Sequence, residues 1–224
     1  MIQELINKQD NFEIVRDQIA SILVLETANQ QALAVAAGQD PALWNLKIYS
    51  ERSFPWESYL NDPSNSDAPI VNVWYDNSSF DKSRSNSIER QDTNGIFNID
   101  CHGVGVSQDI AEGGHVSGDQ QAALNAQRAV RLVRNMIMAS QYTYLKLRGL
   151  VGSRWPQAIS MFQIKQDSPT AQSIVGARMT MAVRFNEFSP QYVPETLELI
   201  SVGIKRKETG ELILLANYDY TQDT

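Results

Sequence analysis

The chain has 224 residues, of which 42% are hydrophobic, and its formal net charge is −7. A chain of this length can bury a large core, so one large domain, alone or with an appendage, is expected. The single cysteine, Cys101, excludes an intrachain disulfide. The acidic balance argues against general nucleic-acid binding, because phosphate contacts need clustered lysine and arginine.

The N-terminal segment has no basic stretch followed by an apolar core, so no secretory signal is predicted. The most apolar early stretch, residues 21–38, is interrupted by Glu26 and three amide side chains. It is too polar for a membrane-spanning helix. We therefore expect no membrane partner.

The charges are unevenly distributed along the chain. Residues 120–165 contain seven basic residues and no acidic one, whereas 1–70, 71–119 and 166–224 are each acidic. Such a chain can pair with copies of itself, basic face to acidic face. Alternatively, the basic residues form a helix surface that is solvated or neutralised within one chain.

The first predicted element is a helix from about Phe12 to Ala37, with Asn11 as its N-cap and Gly38 as its stop signal. A first strand is expected within residues 43–52, and a loop from 54 to 69. The apolar stripe of the helix should pack on a sheet and comprises Val15, Ile19, Ile22, Leu23, Leu33 and Ala37.

Two strands are predicted next, at residues 69–76 and 96–106. In the first, Val71, Val73 and Tyr75 lie on one face, and Ile70, Asn72 and Trp74 lie on the other. The nineteen residues between the strands, 77–95, are almost all polar, which predicts a long loop that is mobile until a partner subunit covers it.

A second helix is predicted over residues 118–141, with Asp119 as its N-cap. Its buried stripe should comprise Leu124, Val130, Val133, Met136 and Ile137. A strand near 158–165 follows, and then the clearest strand, 175–185, whose odd positions are apolar and whose even positions include Arg178 and Arg184.

The chain closes with two apolar segments, 197–206 and 211–220, which flank a turn at 207–210 and predict a β-hairpin. The order of elements predicts an α+β fold, with a mostly antiparallel sheet, two main helices on one face and a C-terminal β-hairpin arm. We expect a domain over residues 1–194 and the arm over 195–224.

Catalytic residue types are concentrated at residues 100–119, which include Cys101 and both histidines, His102 and His115. A nucleophile pair or a metal site would use these types. Neighbouring strand residues point to opposite faces, so Cys101 and His102 cannot pair with each other. Asp100 and His102 share a face that His115 could join, so a metal-dependent enzyme stays an alternative, although we expect no catalytic, cofactor-binding or metal-binding residue.

Several stretches resemble tail proteins of bacteriophages and prophages. They are IVNVWYD (70–76), FNIDCHGVGVS (97–107), AALNAQRAVRLVRNMIMAS (122–140), YLKLRGLVGSRW (144–155), VGARMTMAVRFNEFSPQ (175–191), ETLELISVGIKRKETGEL (195–212) and ANYDY (216–220). The chain is thus similar, over roughly residues 69–220, to the tail terminator (tail completion) proteins of long-tailed phages.

This resemblance implies a structural protein without catalytic residues. It implies a homo-oligomeric ring, usually a hexamer, that caps the tail tube, ends growth of tube and sheath, and offers the surface to which the filled head attaches. Its place would be the virion, at the tail end nearest the head, after assembly in the host cytoplasm. The partners would be tube, sheath and neck proteins, with DNA only passing through the lumen. The alternatives are a neck or head-completion connector and a nucleic-acid-binding module that uses residues 120–165.

Candidate contact residues come from three patterns: the outer side of the second helix, the polar face of strand 175–185, and the apolar hairpin. They are Arg128, Arg131, Arg178, Arg184, Leu199, Val202, Leu212 and Leu214.

Overall fold

The computed structural model describes residues 7–57, 59, 68–83, 90–110, 114–164, 172–188, 199–205 and 212–219. The elements in chain order are α1 (Asn11–Ala36), a 3₁₀ helix (Pro41–Trp44), β1 (Lys47–Ser50), β2 (Ile70–Phe80), β3 (Arg90–Val106), β4 (Gln108–Ile110), β5 (Gly114–Val116), α2 (Gly118–Ile137), a second 3₁₀ helix (Ser140–Tyr142), β6 (Val151–Gln163), β7 (Gln172–Phe188), β8 (Leu199–Lys205) and β9 (Leu212–Asp219).

Five strands form the main sheet in the order β1-β2-β3-β7-β6. β1 pairs with β2 in parallel, and the other neighbours are antiparallel. The odd-numbered residues of β2, β3 and β7 share one buried cluster with both helices, as strand alternation requires. The predicted α+β fold, with two helices packed on a mostly antiparallel sheet, is confirmed.

The chain divides into two compact units, Met1–Ser189 and Pro190–Thr224. In the second unit β8 pairs with β9 in an antiparallel, two-stranded sheet, with Val202 opposite Ala216. This confirms that the two predicted strands pair. The predicted turn at 207–210 lies outside the described residues, and the separate role of the arm stays a prediction.

Helix α1 begins one residue earlier than predicted, because Asp10 is the N-cap and forms a capping box with Glu13. The Asn11 side chain instead donates a hydrogen bond to the carbonyl oxygen of Asn186, at 2.7 Å. Val15, Ile19, Ile22 and Leu23 are buried as predicted.

The predicted burial of Leu33 and Ala37 is wrong, since Leu33 is 54% exposed and Ala37 lies beyond the helix. A helix of 26 residues is about 39 Å long, and after Thr27 only Ala34 of α1 is buried. By length and composition alone, α1 is the one described helix that could cross a membrane. Its inner stripe, however, belongs to the same buried cluster as the sheet.

The predicted loop at residues 77–95 is wrong over most of its length. β2 continues to Phe80 and β3 begins at Arg90, so that Asn77 pairs with Ile96 and Phe80 with Thr93. Polar residues form strands here because β7 extends to Phe188, which pairs with Arg90 and gives the segment a third strand. Only residues 81–89 connect β2 and β3, and of these 84–89 lie outside the described residues.

Helix α2 begins at Gly118 with Ser117 as its N-cap, so the predicted N-cap Asp119 is wrong. Asp119 lies in the first turn, where its side chain accepts a hydrogen bond from the Ser117 hydroxyl. The predicted burial of Leu124 is wrong, because this side chain is 58% exposed. The first half of α2 instead faces β3 with the buried residues Ala122 and Ala126. Small residues are needed there because the helix and strand backbones approach each other closely at Gly103 and Gly105.

Candidate functional site

The face of the sheet opposite the helices bears polar side chains that pair between β3 and β7. The Thr180 hydroxyl donates to Asn98 Oδ1 at 2.8 Å, and the Arg178 and Arg184 guanidinium groups form ion pairs with Asp100 and Asp92. Arg178, Thr180 and Arg184 occupy even positions of strand 175–185, which its alternation assigns to the polar face. We call this set, Asp92, Asn98, Asp100, Arg178, Thr180 and Arg184, the polar ladder.

Arg178 is the most constrained member of the polar ladder. Its Nε donates to Asp100 Oδ1 at 2.6 Å, and its Nη2 donates to Asp100 Oδ2 at 2.9 Å. The guanidinium carbon lies 4.9 Å from the ring centre of Trp74 and 5.4 Å from that of Phe162. The hydrogen bond with Asp100 raises the pKa of Arg178. A bidentate pair of this kind holds the guanidinium in one orientation.

A cavity of about 370 Å³ opens beside Arg178 and is lined by side chains of the polar face, of the 51–56 segment and of β6. Trp74 closes one wall, where its indole N–H donates to Asp100 Oδ2 at 3.0 Å. We call it the His102 cavity, and its lining includes Trp56, Trp74, Asp100, His102, Phe162 and Arg178.

The imidazole of His102 is only 2% exposed. Its ring centre lies 5.6 Å from that of Trp56 and 5.9 Å from that of Phe162. Neither ring nitrogen has a hydrogen-bond partner among the described residues. Burial lowers the pKa of His102 to about 4, although Asp100 opposes this shift. At neutral pH the ring is therefore uncharged, with one N–H donor and one nitrogen acceptor.

Cys101 lies on the opposite face of β3, fully buried in the cluster with the helices. Burial raises the pKa of its thiol, which disfavours the reactive thiolate. The predicted separation of Cys101 from His102 is confirmed, and the two cannot act as a nucleophile and its base.

His115 lies on β5, where it pairs with Asp109 of β4 in a separate two-stranded sheet. Within the part of the chain that the structure describes, no three histidine, cysteine or acidic residues are grouped so that they could hold a metal ion. The structure thus does not bring His115 to Asp100 and His102, as the metal-site alternative required.

The candidate contact residues fall into three environments. Arg131 on α2 is exposed, whereas Arg128 is half-buried in a hollow beside Val104 and Gly105. Arg178 and Arg184 belong to the polar ladder, with side chains 36% and 41% exposed. The hairpin residues Leu199 and Val202 lie on β8, and Leu212 and Leu214 on β9, but their side chains are outside what the structure describes.

Part of the basic excess in residues 120–165 stabilises the domain itself. The Arg154 guanidinium donates to the carbonyl oxygens of Ile137 at 2.9 Å, Ala139 at 2.8 Å and Thr143 at 3.2 Å. These carbonyls lie at and just beyond the C-terminal end of α2, where a cation is favourable. For Arg154, the interpretation as an intrachain contact is therefore the better one.

One surface was not predicted from the sequence. β6 is an outer strand of the sheet, and Trp155, Ile159 and Met161 on it are each more than 40% exposed. A hollow of about 480 Å³ lies between this strand and α2, lined in part by Ala123 and Met161. We call the strand with these three side chains the β6 edge. The sequence predicts a strand at 158–165, and Pro156, which β6 includes, is the signal that could have marked it as an edge strand.

Comparison with known proteins assigns no family: no family model matches this sequence, and no curated protein matches it.

Proposed function

We propose that the protein is a structural virion protein that assembles with copies of itself into a ring at the head-proximal end of a phage tail. There it caps the tube, ends tail polymerisation and provides the surface for head attachment. The resemblance of segments across residues 69–220 to tail terminator proteins supports this proposal. An α+β fold of two helices on a mostly antiparallel sheet is also what the resemblance implies.

The β6 edge is the observation that favours self-assembly most. It is a strand of 13 residues at the border of the sheet, and no described strand pairs with its outer side. Monomeric proteins usually protect such edges with charges, bulges or short strands. β6 does carry two register shifts and Pro156, but Trp155, Ile159 and Met161 on it are exposed all the same. A contact that covers the edge of each copy with a different surface of the next copy generates a ring when the rotation closes.

The C-terminal unit gives a second reason to expect contact with a neighbouring copy of the chain. β8 and β9 form a two-stranded hairpin, and a hairpin of two strands is only marginally stable in water by itself. The sequence of both strands is rich in leucine, isoleucine and valine. In the proposed ring the hairpin of one copy packs on the next copy, so that Leu199, Val202, Leu212 and Leu214 become interface residues.

The site geometry gives the enzyme alternative no support. The thiol of Cys101 is buried on the opposite face, and neither ring nitrogen of His102 is hydrogen-bonded to Ser53, the hydroxyl side chain among the described lining residues of its cavity. The members of the polar ladder are paired with one another.

The direct test is the solution mass of the purified full chain, alone and with tail-tube protein. We expect a closed ring, of six copies as the resemblance implies, at least when tube protein is present. Ile159→Lys combined with Met161→Lys should leave the protein folded but prevent ring formation. Leu33→Lys combined with Val35→Lys is the matched control, because these side chains of α1 are exposed to a similar or greater degree.

A wild-type chain that stays monomeric both alone and with tube protein would contradict the proposal. So would a ring that forms equally well with charged residues at the β6 edge. A ring that binds portal-side proteins and ignores the tube would assign the neck or head-completion role instead.

A further inference from the structure

The His102 cavity has the size and lining of a small-molecule site rather than of a packing defect. Its volume of about 370 Å³ falls within the range of roughly 300–1,000 Å³ that is typical of ligand pockets. The aromatic rings of Trp56, Trp74 and Phe162 line it together with two members of the polar ladder, Asp100 and Arg178. A few fixed polar groups among aromatic walls are the usual composition of such sites.

His102 supplies the observation that points to a ligand. This side chain is 2% exposed and lines the cavity, and both ring nitrogens lack a partner among the described residues. Leaving a buried donor or acceptor unpaired costs about 1–3 kcal/mol for each group. A neutral imidazole offers one donor and one acceptor, and a group that can both accept and donate satisfies it.

The charges around the cavity indicate that the ligand is uncharged. Among the described residues, the charged side chains of the lining are two carboxylates, Glu51 and Asp100, and two guanidinium groups, those of Arg52 and Arg178. The four formal charges sum to zero, and Glu51 is also ion-paired with Arg16, which lies outside the lining, at 3.2 Å. Asp100 and Arg178 also neutralise each other directly through two hydrogen bonds. An ionic ligand would lose its hydration shell without gaining a net opposite charge.

The remaining hydrogen-bonding capacity is divided between donors and acceptors. Arg178 uses Nε and Nη2 for Asp100, and its Nη1 bonds no described residue. Asp100 accepts three hydrogen bonds, whereas a carboxylate has about four acceptor sites. Hydroxyl groups suit such a mixed set, because each can donate to Asp100 or His102 and accept from Arg178.

We propose that the His102 cavity binds a small uncharged polyhydroxyl ring, that is, a sugar. Its hydroxyl groups contact His102, Asp100 and Arg178, and its apolar C–H face lies against the aromatic side chains that line the cavity. The site is independent of the proposed assembly role, since it lies on the polar face of the sheet and uses none of the exposed apolar side chains of the β6 edge.

The test uses N-acetylglucosamine and glucose as probes of the full-length protein, with saturation-transfer NMR to detect bound sugar. Acetate and tetramethylammonium serve as charged probes of similar or smaller size. We expect saturable binding of at least one sugar and no competition by either ion. In the His115→Asn variant only one histidine remains, and the ¹⁵N shifts of His102 should move with the same saturation curve.

Two arginine variants distinguish weaker binding caused by a change in this site from weaker binding caused by a general effect on the sheet. Arg178→Lys removes the free Nη1 and should weaken sugar binding at least ~10-fold, the loss of one good hydrogen bond. Arg184→Lys is the matched control, because Arg184 lies on the same strand and face and pairs with Asp92, but lines a different hollow. It should leave binding unchanged.

The proposal is wrong if neither sugar binds the folded protein or if Arg184→Lys weakens binding as much as Arg178→Lys. It is also wrong if the His102 nitrogens respond only when copies of the chain assemble and not to sugar. That result would make the cavity a contact site for a neighbouring subunit. Nitrogen shifts typical of an imidazole bonded to water alone, unchanged by either sugar, would likewise overturn it.

Discussion

Gly103 of β3 lies directly under Ala122 of α2, so that a Cβ atom built on Gly103 would be 2.3 Å from the Ala122 carbonyl oxygen and 2.5 Å from the Ala126 nitrogen. Both of these are backbone atoms of a helix, which cannot move aside independently. Gly105 makes the same kind of approach to Gly118 and Ala122. These glycines therefore determine how closely α2 packs on the sheet.

Gly103→Ala should lower the free energy of unfolding by about 3 kcal/mol or more, because the added methyl group forces the helix away from the strand. Urea unfolding followed by circular dichroism measures the change. Gly152→Ala is the control, since its nearest neighbour would be 3.7 Å away, and its effect should stay within about 0.5 kcal/mol. Equal effects of the two changes would show that the close approach does not govern stability.

His102→Phe should alter the pH dependence of stability. Burial lowers the pKa of His102 from 6.5 to about 4, with Asp100 opposing and Arg178 adding to the shift. The unfolded chain then takes up a proton at a higher pH than the folded chain does. The stability due to neutral His102 is thus fully present above pH 6.5 and is lost as the pH falls toward 4.

The loss amounts to on the order of 3 kcal/mol over that interval. The remaining charged groups around the cavity, Glu51, Arg52, Asp100 and Arg178, are the same in the variant. Between pH 6.5 and 4, the free energy of unfolding should therefore change less with pH for His102→Phe than for the wild type. Chemical unfolding at several pH values measures this. At pH 7 the variant should be as stable as the wild type or more so, because two unpaired polar atoms are removed. An equal pH dependence of the unfolding free energy in the wild type and the variant would refute this prediction.

Tyr142→Phe should weaken the attachment of α1 to the end of α2. The Tyr142 hydroxyl donates to Glu26, a largely buried carboxylate on α1 that also accepts from Gln141 at 2.9 Å. The hydrogen bond from Tyr142 is the main cause that lowers the pKa of Glu26. Its removal should cost about 1.5–3 kcal/mol at pH 7, as for other bonds to charged groups.

The stability from Glu26 is present above its ordinary pKa of 4.5 and is lost as the pH falls, so wild type and Tyr142→Phe should converge in acid. Chemical unfolding at pH 7 and pH 3 measures this. Tyr144→Phe provides the comparison, because this residue is 41% exposed. An equal cost for both tyrosines would place the effect elsewhere than in the Glu26 bond.

Deletion of residues 195–224 should leave a folded, monomeric domain that no longer caps tails, if the hairpin packs on a neighbouring copy. The main sheet and both helices belong to the unit Met1–Ser189, and their core residues are intact in the truncated chain. Sedimentation and circular dichroism give the mass and the fold. An insoluble truncated chain, or one that still forms the full ring, would show that the hairpin belongs to its own domain's core.

The sequence by itself determined which side chains share a face. The alternation of residues 175–185 and of Val71, Val73 and Tyr75 placed apolar positions toward the helices and Arg178 and Arg184 on the other side, as the structure shows. The same rule separated Cys101 from His102. The period of a strand or helix is a local property of the backbone, so it can be inferred from residues that are neighbours in the chain.

Only the tertiary structure decided which of these elements have partners, and with what. Residues 77–80 and 90–95 look like a loop, yet they are strands because β7, more than 80 residues away, pairs with β3 beside them. Leu124 fits the helical stripe, yet it is exposed because α2 packs its side with the small residues against Gly103 and Gly105 of the sheet. The His102 cavity likewise joins residues from β2, β3, β6 and β7. Burial and pairing depend on contacts between distant parts of the chain, and a local pattern does not contain them.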